Sequence, residues 1–256
     1  MCGLMFTPKN ISEFHRDGYI IACGLAEPSL CTAMRELAEA ALAGNVEPVE
    51  YEADVHYPGA PASRDAPGGR TVRRLLQAYE RNPIFQQWAK NPLVVARLRQ
   101  LLGPRLVLPQ VHHNCIMTKQ PRYSSATLWH QDIRYWSFER PELISVWLAL
   151  GTESPDNGCL SLLPGSHTTR LAPEQLDDAL FLRLDATDNQ KLLTTQVAAE
   201  LKAGDVLFFD CRTFHGAQRN QTDQTKFSVV FTYRPVNNRP LLDTRSASMP
   251  EIAISS

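Results

Sequence analysis

The sequence predicts a mainly β protein with flanking helices, because the pattern of apolar residues changes near Arg105. Before this residue, apolar side chains recur mostly at helical spacing. After it, short apolar runs are separated by turn-forming segments such as PDNG at residues 155–158 and PGS at residues 164–166. Many short strands separated by turns are typical of a β-sandwich or a barrel.

The first hundred residues predict a helical layer with one short strand. Helices are expected at residues 12–17, 28–43 and 92–102, and a glycine directly follows each of them, as it does at many helix ends. The strand is expected at residues 19–21. Residues 45–70 are rich in Pro, Gly and Ala and predict a long loop, which could cover a binding site or be an irregular excursion.

The rest of the chain predicts the β core. The expected strands lie within residues 106–108, 115–117, 143–150, 159–163, 206–209 and 227–233. A helical insert is expected at residues 173–182. We therefore expect one catalytic domain over residues 1–256, with a mostly helical layer at 1–104, the β core at 105–235 and a C-terminal tail at 236–256.

The composition is that of an ordinary globular domain. The chain has 256 residues, 43% of them hydrophobic, and its formal net charge is −1, which favours neither nucleic acid nor a membrane surface as a partner. The six cysteines form no CxxC pair, and the N-terminus has no recognisable export signal. We therefore expect free thiols and a cytoplasmic protein. The sequence leaves the oligomeric state open.

Two histidines and a carboxylate predict a metal site. His130 and Asp132 are two residues apart in the motif WHQD, so on an extended strand their side chains would share a face. Such a triplet also arises by chance, as a surface histidine followed by a turn aspartate. His215 strengthens the prediction, because it follows a turn and a buried-strand pattern at residues 204–210. Two imidazoles and one carboxylate suit Fe(II) that must also bind a co-substrate and O₂, whereas structural zinc prefers four ligands.

A basic strand position could hold the far carboxylate of an oxoacid bound to this metal. Alternation along residues 226–234 predicts two faces, with Lys226, Ser228, Val230 and Thr232 on one and Phe227, Val229, Phe231 and Tyr233 on the other. An ammonium and a hydroxyl directed into a barrel can bind a carboxylate by charge-assisted hydrogen bonds. Trp147 could form a wall of the same cavity. The simpler alternatives are a solvated lysine at a strand end and a tryptophan that only packs in the core.

These motifs resemble the phytanoyl-CoA dioxygenase family of iron- and 2-oxoglutarate-dependent oxygenases. The resemblance rests on WHQD at 129–132, on DNGCL running into LPGSH at 156–167, and on GDV leading to FHG at 204–216. It implies a double-stranded β-helix, which is a jelly-roll or cupin-like barrel, with helices packed outside. It also implies that His130, Asp132 and His215 ligate the iron.

The resemblance further implies contacts to 2-oxoglutarate. These contacts would be made by Gln131, Trp147, Lys226 and Arg73, and Cys115 would line the same site. The family usually carries arginine where this chain has Lys226. Lysine keeps the positive charge but lacks the two-pronged geometry of a guanidinium, so the co-substrate contact is less defined than the iron site.

The implied activity is hydroxylation of a small molecule, with use of O₂ and 2-oxoglutarate and release of succinate and CO₂. Asp132 favours hydroxylation, because related halogenases lack this carboxylate, although desaturation and ring formation stay open. Arg134, Tyr135 and Trp136 follow the motif and could meet a small polar or anionic substrate, or could be packing aromatics beside a surface arginine. His113 shares strand parity with Cys115 and is a further candidate for the substrate pocket.

Two other functions stay open from the sequence. One is a cupin-like metalloenzyme that does not use 2-oxoglutarate, for which oxygen uptake without succinate would be diagnostic. The other is a non-catalytic barrel that binds a metal or a ligand. The intact ligand set argues against the second, because burying a carboxylate and two imidazoles around nothing would be costly.

Overall fold

The computed structural model describes residues 5–254. Within this range the helices are α1 (Pro8–Asp17), α2 (Pro28–Ala43), α3 (Ala78–Arg81), α4 (Pro83–Ala89), α5 (Pro92–Leu102) and α6 (Thr187–Leu193). The strands up to residue 130 are β1 (Tyr19–Ala22), β2 (Val49–Tyr51), β3 (Val72–Leu76), β4 (Leu106–Pro109), β5 (Asn114–Lys119) and β6 (Thr127–His130). The later strands are β7 (Ile144–Ala149), β8 (Leu160–Leu162), β9 (Val197–Ala198), β10 (Val206–Asp210), β11 (His215–Ala217), β12 (Lys226–Pro235) and β13 (Glu251–Ile254).

The described strands form two antiparallel sheets that face each other. The larger sheet runs in the order β1-β10-β7-β12-β5-β3-β2, with β4 joined to β12 and β13 joined to β4. The smaller sheet has the order β6-β11-β8-β9. Neighbouring strands are mostly distant in sequence, as in a jelly roll, where connections cross between two packed sheets.

The larger sheet separates two apolar regions, because alternate side chains of each strand point to opposite faces. On β12, Val229 and Phe231 belong to the main core, and so do Val146 and Leu148 of the adjacent β7. On the opposite face Val230 packs with Trp147 and with Leu160 of the smaller sheet. The alternation predicted along β12 is therefore present, and its second face lines the interior between the sheets.

The helices cover the outer face of the larger sheet. Met34 of α2, Trp88 of α4 and Leu98 of α5 are fully buried against it. Three helix starts have side-chain caps, since Thr7 accepts a hydrogen bond from the Asn10 amide, Asn82 accepts from that of Ile84, and Asn91 accepts from those of Leu93 and Val94. This packing leaves the space between the two sheets free for a site.

Several segments differ from the sequence-based prediction. The predicted loop at residues 45–70 contains β2, and the predicted helical region also contains β3, so both strands extend the larger sheet. The predicted helix at 173–182 is only a short 3-10 turn at Pro173–Gln175, and the helix lies further along, at α6. Leu176 and Leu182 instead form an isolated antiparallel bridge.

The C-terminal segment is part of the folded domain. Its strand β13 pairs with β4 over four residues, so residues 236–254 are not a free tail. Of the predicted free thiols, those of Cys31, Cys115, Cys159 and Cys211 are free, and Cys2 lies outside the described residues. Along the described chain, no helix combines the length and apolar character needed to cross a membrane.

The main core predicts that two substitutions of apolar residues by alanine will differ sharply in their effect on the free energy of unfolding. Phe208 is fully buried, and its ring lies edge-on to Phe6 at 5.3 Å between centroids. Phe208→Ala should lower the free energy of unfolding by about 3–5 kcal/mol, because it leaves a cavity. Leu241→Ala, at a position that is 46% exposed, should change it by less than about 0.5 kcal/mol. Urea denaturation measures both, and equal losses would contradict this assignment of the core.

Candidate active site

Strand pairing in the smaller sheet brings the two metal-site histidines together. His130 is the last residue of β6, His215 is the first of β11, and the two are direct antiparallel partners. Their ring centroids lie 4.3 Å apart, and both side chains are buried. Phe209, on the facing sheet, also packs against His215, and their ring centroids lie 5.1 Å apart.

Asp132 reaches the same point from a turn. The predicted extended geometry through residue 132 is not observed, because β6 ends at His130 and Asp132 opens a 3-10 turn that runs to Tyr135. The Ile133 amide donates to the Cys211 carbonyl and fixes this turn against the strand before His215. The carboxylate Oδ1 then lies 3.7 Å from His130 Nε2 and 3.6 Å from His215 Nε2.

Hydrogen bonds orient both imidazoles toward this point. His130 Nδ1 lies 2.7 Å from the Leu128 carbonyl oxygen and His215 Nδ1 lies 3.0 Å from that of Thr213. A carbonyl only accepts, so each Nδ1 carries the proton and each Nε2 presents a lone pair. Burial, together with the neighbouring His215, holds the pKa of His130 well below its usual value, which favours the neutral form that a metal requires.

Two further side chains hold Asp132. His113 Nε2 lies 3.0 Å from Oδ1, and the Ser145 hydroxyl donates to Oδ2 at 3.2 Å. Burial alone would raise the pKa of Asp132, but the charge and the hydrogen bond of His113 outweigh it and hold the pKa well below its usual range. His113, predicted to face the substrate, therefore also orients the carboxylate.

The chemistry of this cluster fits a mononuclear iron site. The two free imidazole nitrogens and a carboxylate oxygen lie within 4.8 Å of one another, and all three residues are buried. Such a set can bind a divalent ion on one side and leave the other positions open for small ligands. Partners that orient the ligands, as found here, are typical of real metal sites.

A narrow cavity of about 50 Å³ extends from the cluster between the two sheets. We call it the inner cavity. Its lining includes His130 and His215 together with four side chains from other strands, Arg73, Lys119, Trp147 and Lys226. It therefore contains three of the side chains predicted to contact 2-oxoglutarate, together with one, Lys119, that the sequence analysis did not single out.

Glu153 is the second residue that the sequence analysis missed. Its carboxylate is buried and accepts from Lys226 Nζ at 3.0 Å, Ser228 Oγ at 2.6 Å and Trp147 Nε1 at 2.9 Å. Lys226 and Ser228 were predicted to be free to bind a co-substrate carboxylate. In the structure a carboxylate of the protein already neutralises this lysine, so it cannot act alone as the anchor.

Lys119 is the lysine of the inner cavity without a counter-ion. It is the direct cross-strand partner of Lys226, and within residues 5–254 no carboxylate lies within ion-pair distance of its ammonium. Burial, reinforced by the charges of Arg73 and Lys226, lowers the pKa of Lys119 to about 7. Like charges facing each other across a sheet are destabilising, so an entering anion would relieve this arrangement.

The other predicted co-substrate residues have different surroundings. Arg73 is buried and bonded to Glu52, Ser125 and Thr127, so it contributes to the cavity wall with most of its donors engaged. Gln131 is not brought to the site, because its amide donates to the Arg212 carbonyl and it lines neither of the two cavities at the cluster. The alternation of the backbone directs it away from its two neighbours.

A roomier cavity of about 540 Å³ also borders the cluster and is lined by His130 and Asp132. We call it the outer cavity. Its lining includes all four side chains predicted to contact the substrate, together with Cys115, which was predicted to line the co-substrate site: His113, Arg134, Tyr135, Trp136 and Cys115. Tyr57 of the long loop and Phe181 of the insert also line it.

Aromatic rings cover His130 at the boundary with this cavity. The ring centroids of Tyr135 and Phe181 lie 5.9 and 6.0 Å from that of His130. The Tyr57 ring packs edge-on to Phe181, and its hydroxyl lies 3.0 Å from that of Tyr135. The loop predicted at residues 45–70 therefore contributes to the cover of the site, which was one of the two alternatives for it.

Comparison with known proteins gives the same class. The profile of the family "Phytanoyl-CoA dioxygenase (PhyH)" matches residues 14–228. The ectoine dioxygenase of Streptomyces avermitilis is 28% identical over 91% of this chain and 80% of its own length. That of Sphingopyxis alaskensis is 25% identical over 90% of this chain and 76% of its own length.

Solved structures share the fold. EctD from S. alaskensis with 2-oxoglutarate and 5-hydroxyectoine superposes with a TM-score of 0.75 at 22% identity, covering 92% of this chain and 78% of that chain. The non-heme alpha ketoglutarate dependent carbocyclase SnoK from nogalamycin biosynthesis superposes with a TM-score of 0.73 at 18% identity, covering 98% of this chain and 97% of that chain.

The jelly roll and its buried cluster of two histidines and one carboxylate define a non-haem iron, 2-oxoglutarate-dependent oxygenase. The chain belongs to the phytanoyl-CoA dioxygenase family. The predicted fold class, family and enzyme class are thereby confirmed.

The cluster predicts how three variants will bind metal. Asp132→Ala should weaken anaerobic Fe(II) binding by roughly 100-fold or more, since it removes a ligand. His113→Gln should weaken it by roughly 10- to 100-fold, because it removes only a partner of that ligand. Asp188→Ala removes an exposed carboxylate that lies near Lys191 on α6, outside the cluster, and should leave the affinity unchanged. Titration of the apoprotein with Fe(II) measures all three, and wild-type affinity in Asp132→Ala would refute the ligand assignment.

Proposed function

We propose that this protein hydroxylates a small molecule, with Fe(II) held by His130, Asp132 and His215 and with 2-oxoglutarate in the inner cavity. The observation that carries the proposal is the position of the buried ligand cluster between two cavities of different character. The inner cavity is narrow and basic, whereas the outer cavity is larger and lined by aromatic rings and arginines.

When bound, the iron would supply the activation of O₂ that couples oxidation of 2-oxoglutarate to succinate and CO₂ with hydroxylation of the substrate. The chain's own residues have the tasks of orientation and shielding. Leu128 and Thr213 hold the two imidazoles in the ligating tautomer, and His113 and Ser145 fix the carboxylate. Tyr135 and Phe181 cover His130 and limit the access of water.

The far carboxylate of 2-oxoglutarate would lie between the two facing lysines. Lys226 has two contacts, to Glu153 and Ser228, and an ammonium has three protons, so one donor is left for a ligand. Lys119 adds the charge that no carboxylate of the described chain balances. Together the two lysines could supply the anchor that relatives usually build from one arginine.

The comparisons do not favour the alternative of a cupin-like metalloenzyme without 2-oxoglutarate. A non-catalytic barrel is not favoured either, because the ligand atoms are oriented by four hydrogen-bond partners. The substrate itself is a small molecule by analogy with the ectoine dioxygenases.

The test is turnover of the metal-loaded protein. Protein loaded anaerobically with Fe(II) should, on addition of 2-oxoglutarate and O₂, form succinate at a rate that a substrate from a panel including ectoine increases. His215→Ala, treated in the same way, should form none. Absence of succinate with every substrate, together with no effect of 2-oxoglutarate on the melting temperature, would refute the proposed function.

Lys119 gives the co-substrate site a distinctive pH dependence. With a pKa of about 7 in the free protein, it carries its charge below pH 7 and loses it above. The affinity for 2-oxoglutarate should therefore fall as the pH rises from 7 to 9, by at most about tenfold per pH unit. Lys119→Arg should flatten this profile, because a guanidinium stays charged.

Titration calorimetry of the Zn(II)-loaded protein with 2-oxoglutarate measures this profile without turnover. Lys119→Met should bind weakly at every pH, and Lys202→Met, at an exposed lysine outside the cavity, should behave as wild type. If Lys119→Met bound 2-oxoglutarate with the affinity and pH dependence of the wild type, Lys119 would not belong to the co-substrate site.

A further inference from the structure

The outer cavity contains more positive charge than its carboxylates balance. Its lining includes three guanidinium groups, those of Arg74, Arg134 and Arg245, and two carboxylates, those of Glu50 and Asp132. Glu50 already lies 3.3 Å from Arg74, and Asp132 faces the metal-site histidines. A divalent ion bound at Asp132 would add further positive charge. The two remaining arginines therefore determine the charge that an entering molecule meets.

Arg134 is held in place by aromatic rings and not by an acid. Its guanidinium carbon lies 3.7 Å from the centroid of the Phe181 ring and 4.4 Å from that of Tyr135. Nη1 donates to the Tyr135 hydroxyl at 2.7 Å, and in the described range of the chain no carboxylate lies within ion-pair distance. An arginine ordered by stacking, with donors still free, loses little entropy when it binds an anion.

Arg245 reaches the cavity because the C-terminal segment is docked there. Its neighbour Ser246 is buried and accepts from the Ser137 amide at 2.8 Å, and its hydroxyl lies 2.9 Å from His112 Nε2. Arg245 is exposed and has one long contact, at 3.4 Å, to the Val111 carbonyl. Over residues 5–254 it too has no carboxylate within ion-pair distance. Its charge is therefore available at the entrance.

We infer that the primary substrate is an anion, with a carboxylate bound by Arg134 and Arg245 and an apolar or aromatic body held among Tyr57, Tyr135 and Phe181. The inference rests on the proposed function and names the substrate class of the same site. A carboxylate matches the donor-only chemistry of guanidinium groups, and the aromatic rings match an apolar body. Binding there would direct the uncharged end of the molecule toward His130 and the metal.

The experiment compares each acid with its own amide, so that charge is the main difference. Protein loaded with redox-inert Zn(II) and saturated with 2-oxoglutarate is titrated calorimetrically with three pairs. These are 3-phenylpropionate and 3-phenylpropionamide, indole-3-acetate and indole-3-acetamide, and cyclohexanecarboxylate and cyclohexanecarboxamide. Saturating 2-oxoglutarate keeps the probe acids out of the inner cavity. We expect at least one acid to bind tenfold or more tightly than its amide.

The variants locate the effect. The double variant Arg134→Gln/Arg245→Gln should lose this preference, whereas Arg105→Gln, at an exposed arginine that lines neither cavity, should keep it. The preference in wild type should also shrink as KCl is added, because partly exposed charges are screened. No preference in any pair, or a preference that survives in the double variant, would overturn the inference.

The same titrations separate failure of this inference from failure of the proposed function. If 2-oxoglutarate binds and supports succinate formation but no acid is preferred, only the substrate class is refuted. If 2-oxoglutarate does not bind, the proposed function fails, and the acids are compared without it. The double variant still decides the inference in that case, because Arg134 and Arg245 line the outer cavity and not the inner one.

Discussion

The site depends on the antiparallel pairing of β6 and β11, which places His215 directly opposite His130. A slip of one residue in this pairing would turn one imidazole to the other face of the sheet and remove a ligand. The pairing also needs a glycine beside it. A Cβ on Gly216 would lie 3.0 Å from the Thr127 carbonyl oxygen, so a larger residue would press the two strands apart. The 3-10 turn that positions Asp132 is held by the segment before β11, because the Ile133 amide donates to the Cys211 carbonyl.

The second constraint is the balance of buried charge behind the cluster. Lys226 and Arg73 are each paired with a buried glutamate, Glu153 and Glu52, and such pairs are tolerated because the partners offset the cost of removing charges from water. Lys119 has no such partner in the residues described. The interior thus combines neutralised pairs that line the cavity with one lysine, Lys119, whose ammonium has no carboxylate partner in the described residues. In the proposed function, this arrangement would supply the anion site that Lys226, already paired with Glu153, does not supply alone.

Much of the fold could be predicted from local patterns, since the β12 alternation, the three glycine-ended helices and the pairing of His130 with Asp132 all depend on residues close in sequence. His215, which is distant in sequence, was found through its own local signal, a turn and a buried-strand pattern directly before it. The strand β3 was missed because its sequence VRRLL places two arginines in a row, which is typical of a surface, whereas Arg73 is buried against Glu52 of the 3-10 turn that follows β2. The misplaced helix has a similar cause. Asn189 of α6 is buried and bonds the Gln175 and Arg183 carbonyls, so a distant side chain organises the segment that local propensity made helical.

Of the two inner residues that the sequence-based prediction missed, Lys119 could have been found from the sequence and Glu153 could not. Lys119 shares strand parity with His113 and Cys115, so the alternation already used for those residues would have found it. Glu153 carried no such signal, because a carboxylate beside a turn is ordinarily solvated and only the tertiary fold brings it to Lys226.

The outer cavity shows the limit more clearly, since its lining comes from the long loop, the turn after β6, the insert and the C-terminal segment. These segments are the ones whose local sequence says least about conformation. The two metal-site histidines thus lie on paired strands, whereas much of the outer cavity is lined by the segments that connect and follow the strands. Such a division lets relatives keep one chemistry while their connecting segments set the substrate.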